Sequence, residues 1–392
     1  MKDETMSNVG GPLSKIRVDQ VGSLLRPEKL KKAYTRHGRG QATDIELSLI
    51  QDQAIRDLIV KQERCNLPVL TDGEFRRLNF QDSFAESVRG FLPANRTIQF
   101  HEQRAADGKP FARWDRDNPD DGEPSLFYWR PITERLRFVR NLPLEEYLFS
   151  QALTSRPVKI TLICPDRICE QFDRRNTASV YKDIDDFLAD IVRIERTIVA
   201  GLIEAGCRYV QIDAPSYTSY VDPPSLARMR RSGEDPMAIM DRSMKADNGI
   251  MAGFKGVTFG IHLCRGNQRS MWHREGSYDA IAERLFNTLN HHRFLLEYDT
   301  ERAGGFEPLR FVPKDKIVVL GLVSSKISSI ETADELKRRI EEASRYISIE
   351  QLALSPQCGF ASNILGNLLS EDDQWRKFDV IQEVAAQVWT GR

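Results

Sequence analysis

Short apolar runs alternate with longer amphipathic stretches along most of this chain, the pattern of a parallel sheet built from strand–helix units. Eight runs read as strands: Arg17–Ser23, Pro68–Asp72, Val158–Ile163, Tyr209–Asp213, Val257–His262, Arg293–Glu297, Ile317–Leu322 and Gln351–Leu354. Between them, Asp44–Arg64 carries Ile45, Leu47, Leu49, Ile50, Ala54, Leu58 and Ile59 close to a helical period. Ile184–Ala205, Tyr278–Leu289, Ala333–Tyr346 and Gln374–Trp389 repeat that pattern. Eight parallel strands with helices outside predict an α/β chain closed as a (β/α)8 TIM barrel, with an open doubly wound sheet as the alternative.

One interval breaks the rhythm. Residues 89–146 separate the second and third strands, and two β-prone runs, Thr97–His101 and Leu126–Trp129, flank a loop rich in Asp and Arg. This reads as a hairpin insertion after the second strand, placed to cover the barrel mouth or to join a second copy in a homo-oligomer; a plain surface insertion is the alternative. Residues 1–14, with Gly10-Gly11-Pro12, read as a loose tail, which leaves 15–392 as a single domain.

Composition narrows the partners. The 392 residues are 41% hydrophobic and 29% charged, ordinary for a globular chain with a large core. A net charge of -1 supplies no broad positive field, so nucleic acid and anionic membranes are not expected partners; a small molecule is. The acidic start Met1-Lys2-Asp3-Glu4-Thr5 is followed by no apolar signal core, and no run approaches the roughly 18 apolar residues that span a bilayer, so a cytoplasmic protein is expected. The six cysteines are scattered rather than set in a dense framework, and read as reduced thiols.

The chemistry-bearing residues fall at strand ends, where barrel enzymes build their sites. In order they are Ser23, Asp72 with Glu74, Cys164 with Asp166, Asp213, His262 with Cys264, Glu297, Ser324 with Ser325, and Cys358, while the strand interiors are expected to be aliphatic. His262 and Cys264 lie two apart on a strand, so both project to one face. Together His262, Cys264, Glu297 and Cys358 offer one nitrogen, one oxygen and two sulfurs, a set that suits Zn²⁺ better than Mg²⁺ or Ca²⁺. Two thiolates and a carboxylate would leave zinc electron-rich, a weak activator of water but well suited to presenting a substrate thiolate to an electrophilic carbon. Of the remaining histidines, His273 beside Trp272 is a candidate proton donor, and His291-His292 precede the sixth strand, where they read as surface.

His262-Leu263-Cys264, Gln211-Ile212-Asp213-Ala214-Pro215, Asp72-Gly73-Glu74, Val21-Gly22-Ser23 and Ser355-Pro356-Gln357-Cys358-Gly359 together resemble the C-terminal catalytic half of cobalamin-independent methionine synthase, from about Ile16 onward. The resemblance implies zinc held by His262, Cys264, Glu297 and Cys358, with Glu297 resting on the short match Leu296-Glu297-Tyr298. It also implies a homocysteine-like thiol whose polar groups meet Ser23, Glu74 and Asp213. The implied activity is that of a transferase, a methyltransferase or alkyltransferase acting on a thiol through a zinc-bound thiolate. This chain has room for one barrel where the full synthase has two. It shows Ser324-Ser325-Lys326 where that family has a histidine, and Pro165-Asp166 where it has a folate-stacking tryptophan, so methyl-folate is not carried over as donor. The chain is closer to short single-barrel relatives, which include the epoxyalkane:coenzyme M transferases. Epoxide opening by a thiol is thus one alternative, and a metal-free lyase like uroporphyrinogen decarboxylase another.

Overall fold

The computed structural model describes residues 13, 15–91, 113, 132–170 and 177–389. Six strands form one parallel sheet in sequential order: β3 (Ile160–Ile163), β4 (Tyr209–Asp213), β5 (Thr258–Leu263), β6 (Arg293–Glu297), β7 (Ile317–Val323) and β8 (Leu352–Pro356). Every residue of these strands is buried, which is why they read as continuous rather than alternating runs. Sequential parallel strands need crossovers, and helices supply most of them: Ile184–Glu204 before β4, Pro236–Met251 before β5, Asp279–Thr288 before β6 and Ala333–Ser344 before β8. The β6–β7 crossover carries short 3-10 turns, Glu301–Ala303 and Glu307–Phe311.

The first two predicted strands are reduced to single contacts. Val18 makes a parallel bridge to Leu354 in β8, and Leu70 makes one to Val158 just before β3, so each segment lies along an outer edge of the sheet. Between them side chains supplement a backbone bond from Leu24 to the Gly73 carbonyl (3.2 Å): Thr71 donates its hydroxyl to the Gly22 carbonyl at 2.8 Å, and Gln20 donates to the Val69 carbonyl at 2.9 Å. Helix Asp44–Arg64 has the predicted bounds, and a reciprocal capping box between Thr43 and Glu46 fixes its start. Helices Glu28–Gly38, Leu142–Gln151, Pro223–Arg231 and Pro236–Met251 were not visible as apolar periods; three of them begin on a proline in the first turn, a position that favours initiation without needing an apolar stripe.

The insertion is anchored by an antiparallel ribbon, β1 (Val88–Phe91) with β2 (Ile132–Phe138), paired Val88 to Phe138 and Phe91 to Ile132. The runs Thr97–His101 and Leu126–Trp129 lie outside the described residues, as does all of the 1–14 tail but Leu13.

Strand alternation separates the two faces of the sheet. The large apolar core lies between the sheet and its helices, while a small cluster of Val21, Leu295, Ile317, Val319 and Ala353 occupies the other face. On that second face the expectation of aliphatic strand interiors fails. Lys159, Gln211, Tyr209 and Arg293 are buried there around Asp19, whose carboxylate accepts from Lys159 (2.8 Å), Tyr209 (2.7 Å) and Arg293 (3.1 Å). A buried carboxylate is tolerated because two full cations and a phenol satisfy it. His291 is likewise a correction: it is fully buried, not on the surface, and burial holds its imidazole well below the ordinary range, so it packs as a neutral ring. Among the described residues, no helix is long and apolar enough to cross a membrane.

Candidate active site

Register builds the site. Asp213 pairs with His262, His262 with Leu295, Leu295 with Val319 and Val319 with Ala353, so these residues form one row across the sheet on the face away from the main core. Two residues further along, on the same face, Glu297 pairs with Gly321 and Gly321 with Ser355. Asp213 and Glu297 end their strands, and Cys264 and Cys358 follow β5 and β8 by one and two residues. The chain's polar groups therefore gather at the C-terminal edge of a parallel sheet.

His262, Cys264 and Cys358 come together there, all buried, with one ligand atom from each lying within 4.8 Å of the others. The imidazole Nδ1 lies 3.2 Å from the Leu295 carbonyl, a contact that favours a proton on Nδ1, while Nε2 has no hydrogen-bond partner. Hydrogen bonding from Cys358 holds the Cys264 thiol well below its ordinary value, against burial and with help from His262; the same contact pushes the Cys358 thiol well above. One imidazole and two thiols thus crowd together in a buried cluster of soft donors, the set that suits a cation such as zinc.

Ser23, Glu74, Asp213, His262, Cys264, His273 and Cys358 line one pocket, together with Asn79, Asn267 and Arg274, which the sequence did not single out. Asn267 ties two walls, donating to the Gly359 carbonyl at 2.6 Å and to the Ser362 hydroxyl at 3.2 Å. Gly359 permits the packing of Ser23 on Cys358's loop: a Cβ there would stand 2.0 Å from Ser23 Oγ. Glu74 has a left-handed backbone, φ 61°, unusual for a non-glycine residue and characteristic of strained functional turns. Its Oε1 accepts from Thr161 at 2.7 Å, and its Oε2 is buried without a partner. Burial raises the Glu74 carboxyl, opposed by Arg77 and Thr161; burial pushes Asp213 up to about 7, opposed by His262.

Glu297 is not among the three residues whose ligand atoms lie within 4.8 Å of one another, nor in the pocket lining, but it is near enough to act on the charge of His262, Cys264 and Cys358. Its Oε2 accepts from the Arg265 backbone at 2.6 Å and its Oε1 from Arg302 at 2.8 Å. Arg265, Arg302 and Lys326 were not identified from sequence. The signal was present in Arg265, which directly follows the His-x-Cys segment, and in Arg302, five residues after Glu297. Neither arginine advertises its target by spacing alone.

Fold and site define an α/β protein with a thiol-rich pocket at the C-terminal edge of a parallel sheet. No family model matches the chain. It is 36% identical to YxjH of Bacillus subtilis, an uncharacterized protein, over 379 residues, 95% of this chain and 94% of the relative. It is 23% identical over 342 residues to the methionine synthase of Sulfurisphaera tokodaii, covering 86% of this chain and 84% of that one. A crystal structure of a candidate vitamin-B12 independent methionine synthase from Listeria monocytogenes matches with a TM-score of 0.72 and 26% identity, over 95% of this chain and 98% of that chain. The chain belongs to the cobalamin-independent methionine synthase family, among its short single-domain relatives.

Proposed function

We propose that this protein is a zinc-dependent, cytoplasmic transferase that moves a methyl or other alkyl group onto a homocysteine-like thiol. The observation that carries the reading is the convergence of His262, Cys264 and Cys358, all buried with ligand atoms within 4.8 Å of one another, and a His262 Nε2 that has no hydrogen-bond partner. One nitrogen and two sulfurs suit Zn²⁺, and the Leu295 carbonyl on Nδ1 is the kind of outer contact that orients a histidine ligand. Zinc held there lowers the pKa of a coordinated thiol and keeps it as the nucleophilic thiolate.

The remaining steps belong to this chain's own side chains. The partnerless Oε2 of Glu74 and the carboxyl of Asp213 face the same pocket as the two cysteines, and they receive the ammonium of an amino-acid thiol, with Ser23 completing the polar cradle. Held in that pose, the substrate sulfur attacks the alkyl carbon in line; a sulfur–carbon bond forms, and the donor's leaving atom departs with the electron pair. His273, in the pocket wall, is positioned to meet the donor. The parallel bridges at Val18 and Leu70 support closure of the eight segments into a (β/α)8 barrel, with 15–392 as one domain and the insertion at its mouth.

Metal analysis and turnover test the reading together. The purified chain should carry one zinc, and C358S should lose both zinc and alkyl transfer across a panel of methyl donors, epoxides and thiols. A fully active, zinc-free C358S protein would end the proposal, and transfer from epoxides alone would move the reaction to the epoxide-opening class.

A further inference from the structure

We infer that Gln211, held in one orientation by the buried ammonium of Lys159, is the positioning residue that fixes Asp213 for the ammonium of the acceptor; this rests on the reading that Asp213 and Glu74 receive that group. Gln211 lies on β4 two residues before Asp213, on the same face of the strand. Its side chain is buried, and both of its amide hydrogens are committed: Nε2 donates to the Val21 carbonyl at 2.6 Å and to Asp213 Oδ1 at 2.7 Å. Lys159 keeps the amide from turning over, because its Nζ donates to Gln211 Oε1 at 2.8 Å. An ammonium has three hydrogens and no lone pair, so only the oxygen end of an amide can face it. Buried Asp19, at 2.8 Å, is the counter-charge that keeps Lys159 an ammonium, and the Gln20 carbonyl takes its third hydrogen. Turned over, Gln211 would aim hydrogens at a cation and an oxygen at the Val21 carbonyl and the Asp213 carboxylate.

The neighbouring strand repeats the device. Thr161 is the register partner of Gln211 across the β3–β4 pairing. Arg77 donates to Thr161 Oγ1 at 2.9 Å, so the single hydroxyl hydrogen goes to Glu74 Oε1, at 2.7 Å. In each case a buried cation fills the acceptor side of a neutral group, and that group spends a hydrogen on a pocket carboxylate. Both carboxylates are thereby fixed through one oxygen: Asp213 through Oδ1, and Glu74 through Oε1, with its Oε2 buried and without a partner. Lys159 acts on Asp213 through a neutral amide, which orients the carboxylate and leaves its negative charge for a ligand's cation. A pocket built this way selects thiols that carry an ammonium, since an analogue without one leaves the committed oxygens unmet.

Two thiols that differ only in the amino group, L-homocysteine and 4-mercaptobutanoate, test this on the full-length protein. Whatever the sulfur contributes cancels from the ratio of their affinities, read by titration calorimetry. Wild type should favour L-homocysteine at least about tenfold, and D213N should lose that preference. K159M frees the amide to turn over, and Q211E keeps an acceptor for Lys159 but has no hydrogen for Asp213. Each should bring the preference below about threefold while affinity for 4-mercaptobutanoate stays within about twofold of wild type, a split that a merely structural role would not produce. The inference is overturned if K159M or Q211E keeps the preference that D213N loses, or weakens both thiols alike; either variant decides if the other does not fold, and the ammonium reading survives. Wild type that binds both thiols equally, or D213N that keeps the preference, sinks that reading and this inference with it.

Discussion

Replacing Arg77 with methionine isolates the support beneath Glu74. Arg77 is fully buried and donates to Glu146 from Nε at 2.9 Å and from its terminal nitrogen at 2.6 Å, to Thr161 Oγ1 at 2.9 Å and to the Thr161 carbonyl at 3.0 Å. Its guanidinium also stands 3.7 Å from Glu74. R77M strands Glu146 as a fully buried carboxylate with no counter-charge, and the expected loss at pH 7 is about 3–5 kcal/mol. Burial already pushes Glu146 up to about 7 against the pull of Arg77, so the stranded group takes up a proton readily and the loss should shrink toward pH 5.5. Methionine is close to arginine's stem in volume, and R77M/E146L replaces the pair with apolar groups, so the double variant should regain most of the stability and show a coupling of at least about 2 kcal/mol. Urea unfolding followed by circular dichroism measures all three proteins. Thiol binding separates the second role: both variants deprive Glu74 of its nearest cation and should raise KM for an amino-acid thiol even where stability is restored. An R77M protein within 1 kcal/mol of wild type, or a double variant no more stable than R77M alone, would refute this account of the pair.

Three further outcomes are expected. Asp247 is buried, accepts from the Tyr217 hydroxyl at 2.6 Å, and is pushed up to about 7 by burial; its contribution is therefore fully present below the ordinary carboxylate range and is lost as pH climbs through about 7, so D247N should gain roughly 2–4 kcal/mol over wild type at pH 8 and much less at pH 5 in urea unfolding. Equal gains at both pH values would contradict it. G359A places a Cβ 2.0 Å from Ser23 Oγ, so Ser23 or the Cys358 loop must shift; alkyl transfer should fall at least about tenfold with the far-ultraviolet circular dichroism spectrum intact, and full activity would show that Ser23 plays no part. Chelation of zinc from wild type should lower its melting temperature, whereas C358S should not respond to the same chelator.

Helix Asp44–Arg64 was legible to the residue because its cap and its period are both local. Strands β4 and β6 coincide with the predicted runs, since full burial on both faces writes itself as a short, mostly apolar stretch closed by a polar residue. The segments around Val18 and Leu70 read as strands yet make only single bridges, because pairing depends on where the neighbouring backbone runs, which no residue in those segments encodes. Polar positions inside strands, Gln211 and Arg293, were hidden for a similar reason: their partners, Lys159 and the Val21 carbonyl for Gln211 and Asp19 for Arg293, lie far away in the chain.

By itself the sequence determined the strand–helix order and, through two-residue alternation, that His262 and Cys264 share a face; both follow from geometry that acts between near neighbours. Only the tertiary structure decided that Cys358 lies within ligand distance of them and that the Glu297 oxygens accept from Arg265 and Arg302. Cys358 sits on the segment after β8, three strand pairings from β5, and meets the pair only through the way the chain leaves the C-terminal edge of the sheet. Which groups meet at a carboxylate or a thiol is settled by distances in space, and spacing along the chain does not contain them.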